Sequence, residues 1–152
     1  MVDSWNTYNN EQFEKLVRKN NVQIVQIPPK LTSTLQPLDV YFFRMWKDFI
    51  SKYSDKILLK EIKVNLSKRN NILKLQSFVH KQFSAPKFRD FIKYSWFKAG
   101  YVEERPNAFQ TPNEYCFKNL CDKCFECPED SFITCAYCDR PICFVHIFCK
   151  WA

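Results

Sequence analysis

Apolar positions recur at helical spacing in most of the chain and alternate in one short stretch. In NEQFEKLVRKN, Phe13, Leu16 and Val17 share one face and charged residues fill the other. That spacing predicts a helix over 10–20, capped by Asn9 or Asn10 and broken at Asn20-Asn21. VQIVQI, at 22–27, alternates and is rich in β-branched residues, which predicts a strand ended by Pro28-Pro29. MVDSW, at 1–5, predicts a second short strand over 2–4. Strand, helix, strand is the order of a parallel crossover. Pro37 then stands near a helix start, where its missing N–H costs little. A helix is predicted over 38–53, with Phe42, Phe43, Met45, Trp46, Phe49 and Ile50 filling more than one face. NNILKLQSFVHKQF predicts another at 70–83. A last helix has Ser84 as its cap, Pro86 in its first turn, Phe88, Phe91, Ile92 and Trp96 at helical spacing, and Gly100 as its stop. The predicted class is therefore α/β: one crossover followed by three helices.

The 152 residues allow one ordinary domain or two small ones, and 46% apolar content with 15 Phe is ample for a core. A single Gly excludes Gly-rich phosphate loops. No run of eighteen apolar residues and no signal-peptide pattern is present, so the expected setting is soluble and intracellular, without membrane contact. The formal charge of +7 favours polyanionic partners. All eight Cys lie between Cys116 and Cys149. This divides the chain into a Cys-free basic body, 1–112, and a Cys-rich tail, 113–152. NAFQTPNEY, bounded by Pro106 and Pro112, reads as the linker.

Spacing alone reads Asp3 and Asp39 as surface or helix-start carboxylates. The surrounding words add to this. IPPKLTSTLQPLDVYFFRMWK resembles DDE-type transposases of the mariner–pogo–Tigger–jerky superfamily, whose LPP-x-T-x-x-LQPLD-x-x-x-F-x-x-x-K segment carries the last acidic residue of the triad. Pro28, Pro29, Thr32, Leu35, Gln36, Pro37, Leu38, Asp39, Phe43 and Lys47 match it. VDSW resembles the strand bearing the second acidic residue, at Asp3, and FRDFIKYSWFKAGYVEERPNAF looks like the final helix and exit.

The resemblance covers about 2–112. It implies a partial RNase H-like fold, ancestral magnesium held by Asp3 and Asp39, and a DNA partner in the nucleus. The first acidic position and the strands around it have no counterpart in this chain. Two carboxylates do not readily organise a two-metal centre, so the chain is expected to be catalytically incomplete. A truncated transposon frame, a fragment with a retained host role, and part of a longer protein all fit. The strand at 2–4 would present an unpaired edge, a route to dimerisation.

In the tail, CDKCFECPEDSFITCAYCDRPICFVHIFC contains C-x2-C-x10-C-x2-C-x4-C-x2-H-x2-C. C-x2-C lets two thiolates take one ion from a tight turn, and intracellular thiols stay reduced, so zinc, one or two ions, is expected over disulfides or redox chemistry. One arrangement pairs Cys121 and Cys124 with Cys143 and His146, and Cys135 and Cys138 with Cys149 and a fourth ligand, for which Cys127 is available. It looks like the Cys-rich C-terminal domain of piggyBac-type transposases, and loosely like RING or PHD fingers. A sequential alternative puts Cys121, Cys124, Cys135 and Cys138 on one ion. Cys116 falls outside the pattern and is expected to be buried like an apolar residue, while His80 is expected at the surface.

KEIKVNLSKRNNILK gathers Lys60, Lys63, Lys68, Arg69 and Lys74, a candidate nucleic-acid surface or simply a solvated face. Three readings follow: a DNA-binding, transposase-derived endonuclease-like fragment; a zinc-dependent module contacting protein or chromatin through the tail; or an active nuclease whose missing strand comes from another chain.

Overall fold

The structure is a computed structural model that describes residues 1–3, 10–118 and 122–150, the side chains of Cys149 and Lys150 excepted. Most of it is helical. Helix α1 (Glu11–Lys19) starts where Asn10 accepts the Phe13 N–H at 2.7 Å. Phe13 and Val17 are half-buried but Leu16 is 59% exposed, so α1 is only lightly docked. Its Glu11–Lys15 and Glu14–Arg18 pairs are solvent-exposed and add about 0.3–0.5 kcal/mol each.

The expected parallel crossover is reduced, among the described residues, to a single parallel bridge between Val2 and Gln26. Val2 donates to the Val25 carbonyl at 3.0 Å and accepts from Ile27 N–H at 2.8 Å. Ile27 is buried, yet Val22, Ile24 and Val25 are exposed. Alternation of β-branched residues signals an extended backbone, but a ladder also needs a partner running alongside. Residue 4, the end of the other predicted strand, lies outside the described residues.

After a left-handed Lys30, a one-turn helix α2 (Thr32–Leu35) leads through buried Pro37 into a π-helical turn at Leu38–Phe42. Helix α3 (Phe43–Leu59) follows directly. The helix predicted at 38–53 thus opens wider and ends six residues later. Its extension is explained by Phe49, Tyr53 and Ile57, one i, i+4 stripe that is entirely buried. Helix α4 (Arg69–Phe83) buries Leu75, Phe78, Val79, Gln82 and Phe83. Ser84 does not cap the next helix. Its hydroxyl donates back to the His80 carbonyl at 2.7 Å and closes α4. A 3₁₀ turn at Pro86–Phe88 then opens helix α5 (Arg89–Lys98), and Gly100, at φ 79°, follows its end.

The second half of the expected linker is structured. Thr111 and Glu114 form a reciprocal capping box that starts helix α6 (Pro112–Cys116). The boundary drawn between 112 and 113 therefore falls inside this helix. Beyond it, strands β1 (Ile133–Thr134) and β2 (Pro141–Ile142) pair antiparallel, Ile133 opposite Ile142. Left-handed Asp139 turns the connecting Cys135–Cys138 loop.

One buried cluster draws on both parts of the chain. Tyr53 of α3 meets Phe132 edge-on, centroids 5.0 Å apart, and Phe49 packs on Phe117 at 4.9 Å. Polar bonds cross the same boundary: Lys56 Nζ to the Phe132 carbonyl, 2.5 Å; Asn113 Nδ2 to the Met45 carbonyl, 3.1 Å; Tyr137 hydroxyl to the Ser84 carbonyl, 3.1 Å. The most buried is at Gln82. Its Oε1 accepts the Ala136 N–H at 2.8 Å, and its Nε2 lies 3.9 Å from Cys135 Sγ.

Candidate metal centre

Two turns and one short helical segment bring four ligand-bearing side chains together. Cys124 and Cys127 come from a tight turn pinned by an antiparallel bridge between Lys123 and Asp130 and by Cys124 N–H donating to the Glu129 carbonyl at 2.7 Å. Cys143 follows β2, and His146 opens a π-helical turn, His146–Lys150. The donor atoms of Cys124, Cys127, Cys143 and His146 all lie within 4.8 Å of one another. His146 Nδ1 stands 3.5 Å from Cys124 Sγ, 3.7 Å from Cys127 Sγ and 3.1 Å from Cys143 Sγ, and the Cys127 and Cys143 sulfurs are 3.6 Å apart. A tetrahedral zinc ion, with Zn–S about 2.3 Å and Zn–N about 2.0–2.1 Å, requires edges of about 3.8 Å between sulfurs and about 3.6 Å between sulfur and nitrogen. The four side chains fit a Cys₃His zinc site, with the Cys143–His146 edge shorter than that ideal.

The electrostatics agree with a cation-binding role. Burial on its own would raise the Cys124 thiol, but the N–H groups of Cys143 and Glu126, with the His146 and Cys143 side chains, outweigh it and hold it down to about 6. Glu126 N–H lies 3.4 Å from that sulfur. Burial pushes Cys143 the other way, to about 11, reinforced by the neighbouring Cys127 and Cys124 thiols. One thiolate is stabilised by backbone donors while its neighbour is held protonated; a divalent ion at the centre would let both ionise.

Cys124, Cys143 and His146, which one of the expected pairings puts on one ion, are brought together, and Cys127, expected as an available ligand, stands with them. Cys121 lies outside the described residues. CDKCFEC contains two overlapping C-x2-C pairs, so spacing alone did not choose between them. Cys135 is buried, Cys138 is exposed, and the two thiols interact within their own turn. They stand apart from the Cys₃His group. The side chain of Cys149 is not described. Cys116 is fully buried, as expected, with its sulfur 3.9 Å from Gln82 Oε1, and His80 is exposed. Gln82 went unnoticed in the sequence, where nothing marks a Gln on a helix as buried.

Asp3 is half-buried beside the Val2 bridge, and Asp39 is exposed in the first turn after Pro37. Neither belongs to a cluster of three or more metal-ligating groups among the described residues. Lys60, Lys63 and Lys68 are exposed on the loop joining α3 to α4, and Arg69 on the first residue of α4; half-buried Ile62, Val64 and Leu66 anchor the loop to the core. Lys74 behaves differently. Its amine bonds the Phe148 carbonyl at 3.3 Å and sits over that ring. No described helix is long and apolar enough to cross a membrane.

Residues 96–151 match the family described as the Tc5 transposase C-terminal domain, whereas the ligand spacing resembled a piggyBac-type tail. No curated protein and no solved structure matches the chain. Residues 1–101 match the DDE superfamily endonuclease family, which carries the resemblance first seen around Asp39. That match spans most of the 152 residues, and the chain belongs to the DDE superfamily endonuclease family.

Proposed function

We propose that this is a transposase-derived, DNA-binding protein of RNase H-like ancestry whose C-terminal segment is held in shape by zinc at Cys124, Cys127, Cys143 and His146. The observation that carries the DNA-binding half is the α3–α4 loop with the first residue of α4. Lys60, Lys63, Lys68 and Arg69 are exposed there, with no salt-bridge partner among the described residues, in a chain of charge +7. Cations held on an ordered segment suit a phosphate backbone; of the four, Lys60 is also near enough to Asp130 to help draw that carboxyl down. Lys74 is assigned to packing rather than to phosphate. Cys135, Cys138 and Cys149 are proposed as ligands of a second ion.

Asp3 and Asp39 correspond to the second and third acidic positions of the family, and magnesium is their ancestral ligand. Two carboxylates alone leave a two-metal centre short of ligands, so DNA cleavage by this chain alone is not expected. The expected compartment is the nucleus.

The test is duplex binding followed over a range of salt concentrations. Four phosphate contacts give a log–log salt slope of about −3.6. Lys60→Gln with Lys63→Gln should reduce that slope by about 2 and weaken binding equally on unrelated sequences. Salt-independent binding, or an unchanged slope in the double variant, would remove the loop from the DNA surface.

A second reading is favoured by one observation on the tail. Phe125, Tyr137 and Val145 project from the segments bearing the ligands and are 56%, 49% and 56% exposed. A zinc-dependent protein or chromatin contact would use them. In that case Phe125→Ser would abolish partner binding while leaving the salt slope on DNA unchanged.

A further inference from the structure

A cavity of about 400 Å³ lies where α5 meets the segment leading into α6. Its volume is within the range of about 300–1,000 Å³ usual for small-ligand sites. Three aromatic rings form its wall. Tyr41 meets Tyr94 edge-on with centroids 4.8 Å apart, and Tyr94 lies 5.3 Å from Phe109. Two cations flank the Tyr94 ring: Arg105 Cζ and Lys98 Nζ are each 5.8 Å from its centroid, at the outer limit of a cation–π contact. The ring is thus bordered by positive charge without being sealed by it. Asn107 lines the same cavity, and neither it nor Arg105 has a hydrogen-bond or ion-pair partner among the described residues. The one carboxylate in the lining, Glu114, is engaged by its capping box, its Oε2 accepting Thr111 N–H at 2.8 Å and Thr111 Oγ1 at 2.9 Å. Burial, then Tyr94 and Glu114, push the Tyr41 phenol up.

These are the parts of a site for a planar, polar-edged, phosphate-linked ligand. Aromatic faces stack bases, an amide offers one donor and one acceptor to a base edge, and flanking cations meet the backbone. A base paired within a duplex cannot reach such a pocket; an unpaired or extruded one can. We infer that this cavity takes one unstacked nucleobase of a DNA single strand, stacked on Tyr94, with its edge toward Asn107 and its phosphate against Arg105. The inference rests on the DNA-binding reading above but uses none of the residues of the α3–α4 loop.

The experiment uses the full chain with two probes of one sequence, a short single strand bearing one 5-iodouracil and the corresponding duplex. Photocrosslinking of the single strand, mapped by mass spectrometry, should place the adduct on Tyr94, Tyr41 or Phe109. Arg105→Ala with Asn107→Ala, both exposed and without a folding role, should weaken single-strand binding by about fivefold or more and leave duplex binding within about twofold. Tyr94→Leu should do the same and lose the adduct. Crosslinks confined to other residues, or variants that bind single strands like the parent, overturn the inference. Duplex binding without single-strand binding overturns it too and leaves the DNA reading intact. Binding to neither form removes the DNA reading, and this inference with it.

Discussion

Gln82→Leu offers the sharpest probe of how the Cys-rich segment is attached to the helices. Gln82 is 2% exposed, and its Oε1 is the acceptor for the buried Ala136 N–H, the first amide inside the Cys135–Cys138 turn. Leucine has similar bulk and should fill the space, so the cavity contribution is small. What remains is the loss of one hydrogen bond, about 1 kcal/mol net, and the stranding of a buried amide, about 1–3 kcal/mol. Removing a buried side-chain amide whose Nε2 has only a thiol at 3.9 Å offsets part of this. The balance is a destabilisation of about 2 kcal/mol. For a chain of this length that lowers Tm by about 4–8 °C. Urea unfolding of the zinc-loaded protein, followed by far-ultraviolet circular dichroism for the helices and by release of zinc to a chromogenic chelator for the tail, is the assay. Both probes should shift together, because α4 and the Cys turn share one core. A change below about 0.5 kcal/mol would refute the role given to this bond. A shift in only one probe would show that the tail unfolds separately from the helices.

Three shorter expectations accompany it. Thr111→Ala removes the cap of α6 and leaves Glu114 without its reciprocal partner, so stability should fall by about 1 kcal/mol, or about 2–4 °C in a thermal melt. Burial and then Lys60 pull the Lys56 amine from 10.5 to about 8. Between those values the unfolded chain binds the extra proton, so this group's contribution to stability rises with pH from about 8 to 10.5. Lys56→Met should remove that rise, seen as a smaller gain in urea midpoint between neutral and alkaline pH than the parent shows. Phe132→Ala removes a buried ring that Tyr53, Phe144 and Lys56 all contact, and should cost about 3–5 kcal/mol, measured by the same unfolding.

The helices were largely legible because their buried stripes are written mostly in aromatic residues. Phe49 and Tyr53, Val79 and Phe83, and Phe88 and Phe91 repeat at the i, i+4 and i, i+3 spacings that a helix places on one side. What escaped depends on partners. Residues 22–27 read as a strand from their own alternation, yet only Gln26 is bridged among the described residues, since a strand is defined by its neighbour. Ser84 stands between two helices and could serve either; its bond to the His80 carbonyl settles the matter in favour of the earlier one. The segment after Pro106 looked like a linker because Pro, Asn and Thr are turn residues, but Thr111 and Glu114 are also the signature of a capping box. At the metal site the donor types and the Cys143–His146 pair were legible. The place of Cys127 beside them was not, because three cysteines at equal spacing offer two overlapping C-x2-C pairs that spacing alone does not distinguish.

Metal analysis of the reduced full-length chain beside its Cys127→Ser and Cys121→Ser variants bears most directly on the zinc centre. The parent should carry at least one zinc ion per chain. Cys127→Ser should lose one ion or hold it far more weakly, and Cys121→Ser should retain the ion bound by Cys124, Cys127, Cys143 and His146. A parent chain without zinc, or loss of that ion in Cys121→Ser with full retention in Cys127→Ser, would contradict the assignment.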